Sequence, residues 1–173
     1  MNKQTNYGLS LGILLLLSGF LPARAQVKDT TATLSVQGEV LHPLVLKAPD
    51  IAGMKRIQVT VKGDGQDASE QTYSGVALST ILEQAGATMG RQLRGENMSK
   101  YVLIKSGDGY AVLFSLAELD SAFSDKIVML ADQLNGKPLP AGKGPFRIVA
   151  AGEGKHARWI WEVRSVTVGF AKE

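Results

Sequence analysis

The alternation of apolar and polar residues predicts strands along most of the chain. Leu34 and Val36 alternate with polar neighbours before Gly38, and the segment 57–61 repeats the same period of two. A continuous apolar run over 127–130 is typical of a strand buried on both faces. Two further strands are predicted, over residues 146–151 and 163–168.

A β-hairpin is predicted in the middle of the chain. The runs 101–105 and 110–114 are rich in β-branched and aromatic residues, and they flank the sequence Ser-Gly-Asp-Gly at 106–109. An Asp-Gly pair between two such runs is the strongest short-range hairpin signal.

Two short helices are also predicted. From Leu78, apolar residues recur at i, i+3, i+4 and i+7, which is one stripe at helical period. Thr80 and Glu83 have the spacing of a capping box, and Gly86 stands where a left-handed C-cap belongs. The sequence Ser-Leu-Ala-Glu at 115–118 has the same spacing and predicts a second helix. Residues 87–100 are predicted to be a surface loop.

These elements amount to about seven strands and two short helices, without an internal repeat of 20 to 50 residues. Runs of strands with few crossover helices favour antiparallel pairing. The pattern therefore predicts a strand-dominated, mixed α+β domain.

The first 25 residues have the composition of a cleavable signal peptide. Lys3 precedes an apolar stretch over 8–21, and Ala23-Arg24-Ala25 offers a small-x-small cleavage site. Fourteen residues make about 21 Å of helix, which is short of the ~30 Å hydrocarbon core. We therefore expect cleavage after Ala25, no membrane anchor afterwards, and a periplasmic or secreted protein. Residues 26–32 are predicted to be a disordered lead-in, and 33–173 the folded domain.

Charge and cysteine content narrow the possible functions. The chain has 19 basic and 16 acidic residues, and the signal peptide takes two of the basic ones with it. This small excess gives little support for a nucleic-acid partner. The absence of cysteine removes disulfides, thiolate nucleophiles and iron–sulfur clusters. With His42 and His156 as the two histidines, no metal site is predicted.

Residues 152–159, Gly-Glu-Gly-Lys-His-Ala-Arg-Trp, are the strongest candidate for a binding site. The segment joins two predicted strands, and its glycines allow a close approach of backbone to ligand. Lys155 and Arg158 suit an anionic or carbonyl-rich group, His156 adds an imidazole, and Trp159 can wall or stack on a flat ring. The alternative is a solvated loop whose Trp closes the edge of the core.

The predicted hairpin turn is a second candidate. Asp108, between Ser106 and Tyr110, can accept two hydrogen bonds from an amidine-like edge, but a plain hairpin turn is the favoured explanation of a lone Asp-Gly pair. The sequence contains no Gly-x-Ser-x-Gly elbow, P-loop or His-Glu-x-x-His motif, so no catalytic residue is assigned.

Four segments in order resemble the sulfite-oxidase-type molybdopterin-binding domain. They cover about residues 36–168, and each resembles a family motif: residues 73–86 the W-x-G-V-P-L…L-L-E-x-A-G segment, 106–119 the S-x-D-G-Y…P-L-A-E-L segment, 135–140 the N-G-x-P-L-P segment, and 146–159 the P-x-R-L-V…G…K-W segment. The resemblance implies a barrel-like, strand-rich α+β fold with short helices, and a pterin pocket.

One departure from this family affects the expected chemistry. The resemblance implies that a cysteine just after the strand before the G-V-P-L helix holds molybdenum. The corresponding stretch here is Val-Thr-Val-Lys-Gly at 59–63, with Lys62 near the ligand position. An ammonium group does not replace a soft thiolate, so oxotransfer by the family mechanism is not expected.

The resemblance, with the missing thiol, implies an exported, non-catalytic pterin-binding protein that reports ligand occupancy to a membrane-bound signalling partner. Asp108, with Ser106 and Tyr110 on its turn, would pair with the 2-amino edge of the pterin. Lys155, His156 and Arg158 would contact its carbonyl or side chain, and Trp159 would wall the ring. The alternatives are a molybdopterin-dependent oxidoreductase without a cysteine ligand, and a protein-interaction module that has lost the pocket.

Overall fold

Two five-stranded sheets form the framework of the domain. The computed structural model describes Met1 and residues 33–63 and 69–171. Within these ranges the strands are β1 (Thr33–Gly38), β2 (Leu44–Lys47), β3 (Ile57–Lys62), β4 (Glu70–Ala77), β5 (Lys100–Ser106), β6 (Ala111–Ser115), β7 (Val128–Leu134), β8 (Lys137–Pro138), β9 (Arg147–Ala150) and β10 (Val163–Phe170).

The helices are short and lie in the connections. They are α1 (Ala48–Ala52), α2 (Leu78–Gln84) and 3₁₀ helices at Gly90–Gln92, Gly95–Ser99, Ala117–Leu119 and His156–Arg158. Among the described residues, no helix is long and apolar enough to span a membrane. The predicted signal peptide and lead-in lie outside the described residues.

The first sheet has the order β2-β1-β10-β5-β6, and the second has the order β3-β4-β7-β8 with β9 paired to β7. The pairing of β1 with β10 is parallel, and the other recorded pairs are antiparallel. This parallel contact places the first and last strands side by side in the interior of the first sheet. The predicted strand-dominated α+β architecture is confirmed.

One continuous core holds the sheets together. Leu34 and Val166 from the first sheet, and Val76 and Leu130 from the second, are fully buried in the same cluster. Each buried side chain of this size contributes roughly 1.5–3 kcal/mol relative to exposure.

The helix predicted at 78–85 is present, although its cap differs from the prediction. α2 begins at Leu78 with Ala77 as N-cap and no side-chain cap, so Thr80 lies inside the helix. The strand β4 runs directly into the helix, and burial of Leu78 fixes its start. Gly86 ends it with φ of 72°, as predicted.

The predicted hairpin is the pair β5 and β6, with Leu103 opposite Leu113. Gly109 closes the turn with φ of 88°, a conformation that favours glycine. Only half of the second predicted capping box is present: the N–H of Glu118 donates to the hydroxyl of Ser115 at 3.2 Å, but the N-cap of the 3₁₀ helix Ala117–Leu119 is Leu116, which has no side-chain cap. The predicted loop 87–100 contains two 3₁₀ helices around the buried Leu93.

Candidate functional site

The glycine-bearing basic loop connects β9 to β10. Gly152 has φ of 85°, which turns the chain out of β9, and a single 3₁₀ turn follows over His156–Arg158. The N–H of Trp159 donates to the carbonyl of His156 at 3.0 Å and closes this turn. The turn leaves Lys155 exposed and buries the indole of Trp159, which is 4% exposed.

A cleft of about 640 Å³, the larger cleft, lies between this loop and the end of β3. It is lined by Thr60–Gly63, by Gly152–His156 of the loop, and by Trp159. The imidazole of His156 stacks on the indole, with ring centroids 3.6 Å apart and planes 12° apart. This volume is within the range of small-molecule sites.

A second depression of about 220 Å³, the smaller cleft, also has Trp159 in its lining. Ser106, Asp108 and Tyr110 border it from the hairpin, and Lys143 and Trp161 border it from the segments beside them. Trp159 therefore lines both clefts.

The predicted site residues are thus divided between two clefts. Lys155 and His156 line the larger cleft, whereas Ser106, Asp108 and Tyr110 line the smaller one. Trp159 borders both. The seven predicted residues therefore do not all line one cleft.

Asp108 is engaged in its own turn. Its carboxylate accepts hydrogen bonds from the hydroxyl of Ser106 and from the N–H of Tyr110, the latter at 2.9 Å. These bonds stabilise the charged form and lower the pKa of Asp108, the Ser106 hydroxyl contributing most. The hydroxyl of Tyr110 donates to the carbonyl of Ala157 at 3.0 Å, which ties the hairpin to the basic loop.

Arg158 lines neither cleft and is engaged in an ion-pair network. Its guanidinium donates to Glu118 Oε1 at 2.9 Å, to the carbonyl of Leu113 at 3.1 Å and to the carboxylate of Glu153. Burial lowers the pKa of Arg158, but the hydrogen bonds and charges of the two carboxylates outweigh burial and raise it. The arginine holds the loop against β6 and the following 3₁₀ helix.

Arg147 is a buried cation that was not predicted from the sequence. Arg147, 5% exposed, donates a hydrogen bond to the hydroxyl of Tyr73. Its guanidinium carbon lies 3.6 Å from the ring centroid of Trp161 and 5.6 Å from that of Trp159. An arginine among aromatic faces gains cation–π attraction, and this one supports both tryptophans that line the clefts. The signal in the sequence was an arginine within the otherwise apolar run 146–151.

The donor set of the larger cleft fits a pterin better than it fits a thiolate-bound metal. Lys62 and Lys155 supply cations, and the His156–Trp159 stack supplies an aromatic wall. The whole sequence contains no cysteine, so it has no thiolate to hold molybdenum. Among the described residues, no group of three or more His, Asp or Glu is placed to hold a metal ion.

Comparison with known proteins assigns the chain to a family. The model of the oxidoreductase molybdopterin binding domain matches residues 21–169. The sulfane dehydrogenase SoxCD from Paracoccus pantotrophus has the same fold, with a TM-score of 0.64 and 23% identity. The match covers 86% of this chain and 40% of the SoxCD chain. A search of curated proteins found no match. The chain belongs to the oxidoreductase molybdopterin binding domain family.

Proposed function

We propose that this chain is an exported, non-catalytic pterin-binding protein whose ligand occupies the larger cleft. The observation that carries the proposal is a cleft with an aromatic and cationic lining, in a molybdopterin-binding domain whose sequence contains no cysteine. Such a cleft retains groups that suit a pterin and lacks the ligand that would hold a metal.

Each lining group has a role in this proposal. The His156–Trp159 stack forms a flat wall for the bicyclic ring, since aromatic faces pack well on planar heterocycles. Lys155 supplies a charge for the carbonyl or an anionic side chain of the ligand. Arg158 acts indirectly, because its ion pairs hold the loop that carries Lys155 and His156.

The hairpin residues have a different place in the proposal. Asp108, with Ser106, borders the smaller cleft, and its hydrogen bonds fix the turn. Tyr110 connects that turn to the loop through Ala157. We propose that these residues position the loop. The alternative is that Asp108 pairs directly with the amino edge of the pterin, and the variant Asp108→Asn tests this alternative.

A sensory role follows from the proposed location. A protein exported after cleavage at Ala25 would meet pterins outside the cytoplasm. Because it would not convert the ligand, binding would act by changing how the protein contacts a partner. We therefore propose a membrane-bound signalling protein as that partner. Intact mass of the secreted protein tests the export step, since cleavage leaves Gln26 as the first residue.

A fluorescence titration tests ligand binding. Purified mature protein is titrated with oxidised and reduced pterins, and we expect saturable binding to the wild type. Lys155→Ala should weaken binding about tenfold, because a charged hydrogen bond contributes about 1.5–3 kcal/mol. Lys143→Ala is the matched control, since Lys143 is also exposed but borders the smaller cleft. A flat titration of the wild type contradicts the proposed function.

A further inference from the structure

One wall of the larger cleft is the open edge of a sheet. β3 is the terminal strand of the second sheet and, within the described residues, pairs with β4 alone. The last part of the strand, from Thr60 to Lys62, lines the cleft. An edge strand presents unpaired N–H and C=O groups, which are strong hydrogen-bonding sites.

The hydrogen-bond pattern shows which residues direct these groups outward. Antiparallel ladders alternate between hydrogen-bonded and non-hydrogen-bonded pairs. The N–H of Gly63 donates to the carbonyl of Ser69 at 2.8 Å, which makes that pair hydrogen-bonded. In the continuing register, Lys62 opposite Glu70 and Thr60 opposite Thr72 are therefore non-hydrogen-bonded pairs.

The partner strand gives independent support for this assignment. The N–H of Thr72 donates to Asn135 Oδ1 at 2.9 Å, and the carbonyl of Thr72 accepts from the N–H of Asn135 at 2.7 Å. Both backbone groups of Thr72 thus turn away from β3. Thr60 and Thr72 meet through their hydroxyl groups instead, at 2.9 Å. The backbone groups of Thr60 and Lys62 consequently point out of the sheet edge.

These two residues place an acceptor beside a donor. The carbonyl of Thr60 and the N–H of Lys62 are two positions apart on the same edge, which is the arrangement that an added strand would recognise. The loop residues 152–156 line the same cleft as this edge, and the stacked rings of His156 and Trp159 add a flat wall. A planar heterocycle with adjacent donor and acceptor atoms on one side fits such an edge.

We propose that the open edge of β3 reads the hydrogen-bonding edge of the pterin. The carbonyl of Thr60 accepts from the amino group or ring N–H of the ligand, and the N–H of Lys62 donates to the adjacent ring nitrogen or carbonyl oxygen. This inference rests on the proposed function and names the groups that select the ligand. The backbone supplies the selectivity, and the ammonium of Lys62 adds charge.

A proline substitution isolates the backbone donor. Lys62→Pro removes both the ammonium and the N–H, whereas Lys62→Ala removes the ammonium alone. Because the N–H of Lys62 takes no part in pairing with β4, proline is compatible with this position of an edge strand. Gln58→Pro is the matched control, since Gln58 has the same outward position in the ladder and lies outside the cleft lining.

The readout is the dissociation constant for pterin, measured by fluorescence with each variant. We expect Lys62→Pro to bind about tenfold more weakly than Lys62→Ala, which corresponds to one hydrogen bond. Gln58→Pro should bind like the wild type. Equal affinities of Lys62→Pro and Lys62→Ala overturn the inference and leave the proposed function standing. A wild type that binds no pterin overturns both.

Amide NMR of the wild type provides a test that does not depend on a variant's folding. Saturation with pterin should slow the hydrogen exchange of the Lys62 amide and move its proton resonance downfield. The Gln58 amide should keep its exchange rate and resonance. An unchanged Lys62 amide in a pterin-saturated protein contradicts the assignment, even if Lys62→Pro fails to fold.

Discussion

Replacement of Arg158 by methionine tests whether the ion-pair network holds the loop of the larger cleft in place. The arginine side chain is 29% exposed, and its partners Glu118 and Glu153 are 25% and 14% exposed. Methionine keeps an unbranched apolar side chain at this position but removes the guanidinium, whose carbon lies 4.1 Å from the ring centroid of Phe114. The substitution therefore removes the charge, the hydrogen bonds and this cation–π contact together.

The magnitude follows from these contacts. A hydrogen bond to a charged group contributes about 1.5–3 kcal/mol, and removal of one partner from a buried pair costs about 3–5 kcal/mol. Partial exposure of Arg158 reduces both values, so we expect the free energy of unfolding to fall by about 3 kcal/mol. For a domain of this size, the midpoint of thermal unfolding should fall by about 10 °C.

Chemical denaturation of Arg158→Met measures the change, with Arg56→Met as the control. Arg56 forms a comparable ion pair with Asp132, with N–O distances of 2.5 and 2.8 Å, and lines neither cleft. Both variants should lose stability, but only Arg158→Met should also weaken pterin binding. A change below about 0.5 kcal/mol for Arg158→Met, the range of ordinary surface substitutions, would refute the network's role.

Two further predictions concern the β4–β7 pairing and the hairpin turn. Gly75→Ala should destabilise the domain by about 3 kcal/mol or more, because its Cβ would lie 2.6 Å from Ala131 Cα, and overpacking a rigid backbone is costly. Gly154→Ala, which has open space at this position, should change the free energy of unfolding little in the same urea titration. Ser106→Ala should raise the pKa of Asp108 in an NMR titration, because the Ser106 hydroxyl is the main cause of its depression. Because the pKa of Asp108 is lower in the folded than in the unfolded state, the stabilisation from its hydrogen bonds is present above the unfolded-state pKa and is lost as the pH falls through the folded-state pKa. An unchanged pKa of Asp108 in Ser106→Ala would contradict this prediction.

Local signals were sufficient for much of the fold. Alternating strands such as β1 and β3, the Asp-Gly hairpin and the helix α2 all appear near their predicted positions, because each depends on neighbours in sequence. β4 gave no strand signal, since its residues from Tyr73 to Val76 are buried on both faces and do not alternate. The single turn of α1 is too short for a helical period to show.

The candidate site was harder to predict, because its geometry depends on contacts between distant segments. Composition identified the loop 152–159, yet it could not show that Arg158 is engaged by Glu118, 40 residues away. It could not show that Asp108 and Lys155 line different clefts, because this depends on the packing of the hairpin beside the loop. The open edge of β3 likewise appears only when the strand order of the sheet is known.

Native mass spectrometry with elemental analysis, applied to protein purified from the periplasm of cells grown with molybdate, tests the central claim most directly. We predict a bound small molecule with the mass and absorbance of a pteridine, and molybdenum far below one atom per chain. A stoichiometric amount of molybdenum on the cysteine-free chain would contradict it.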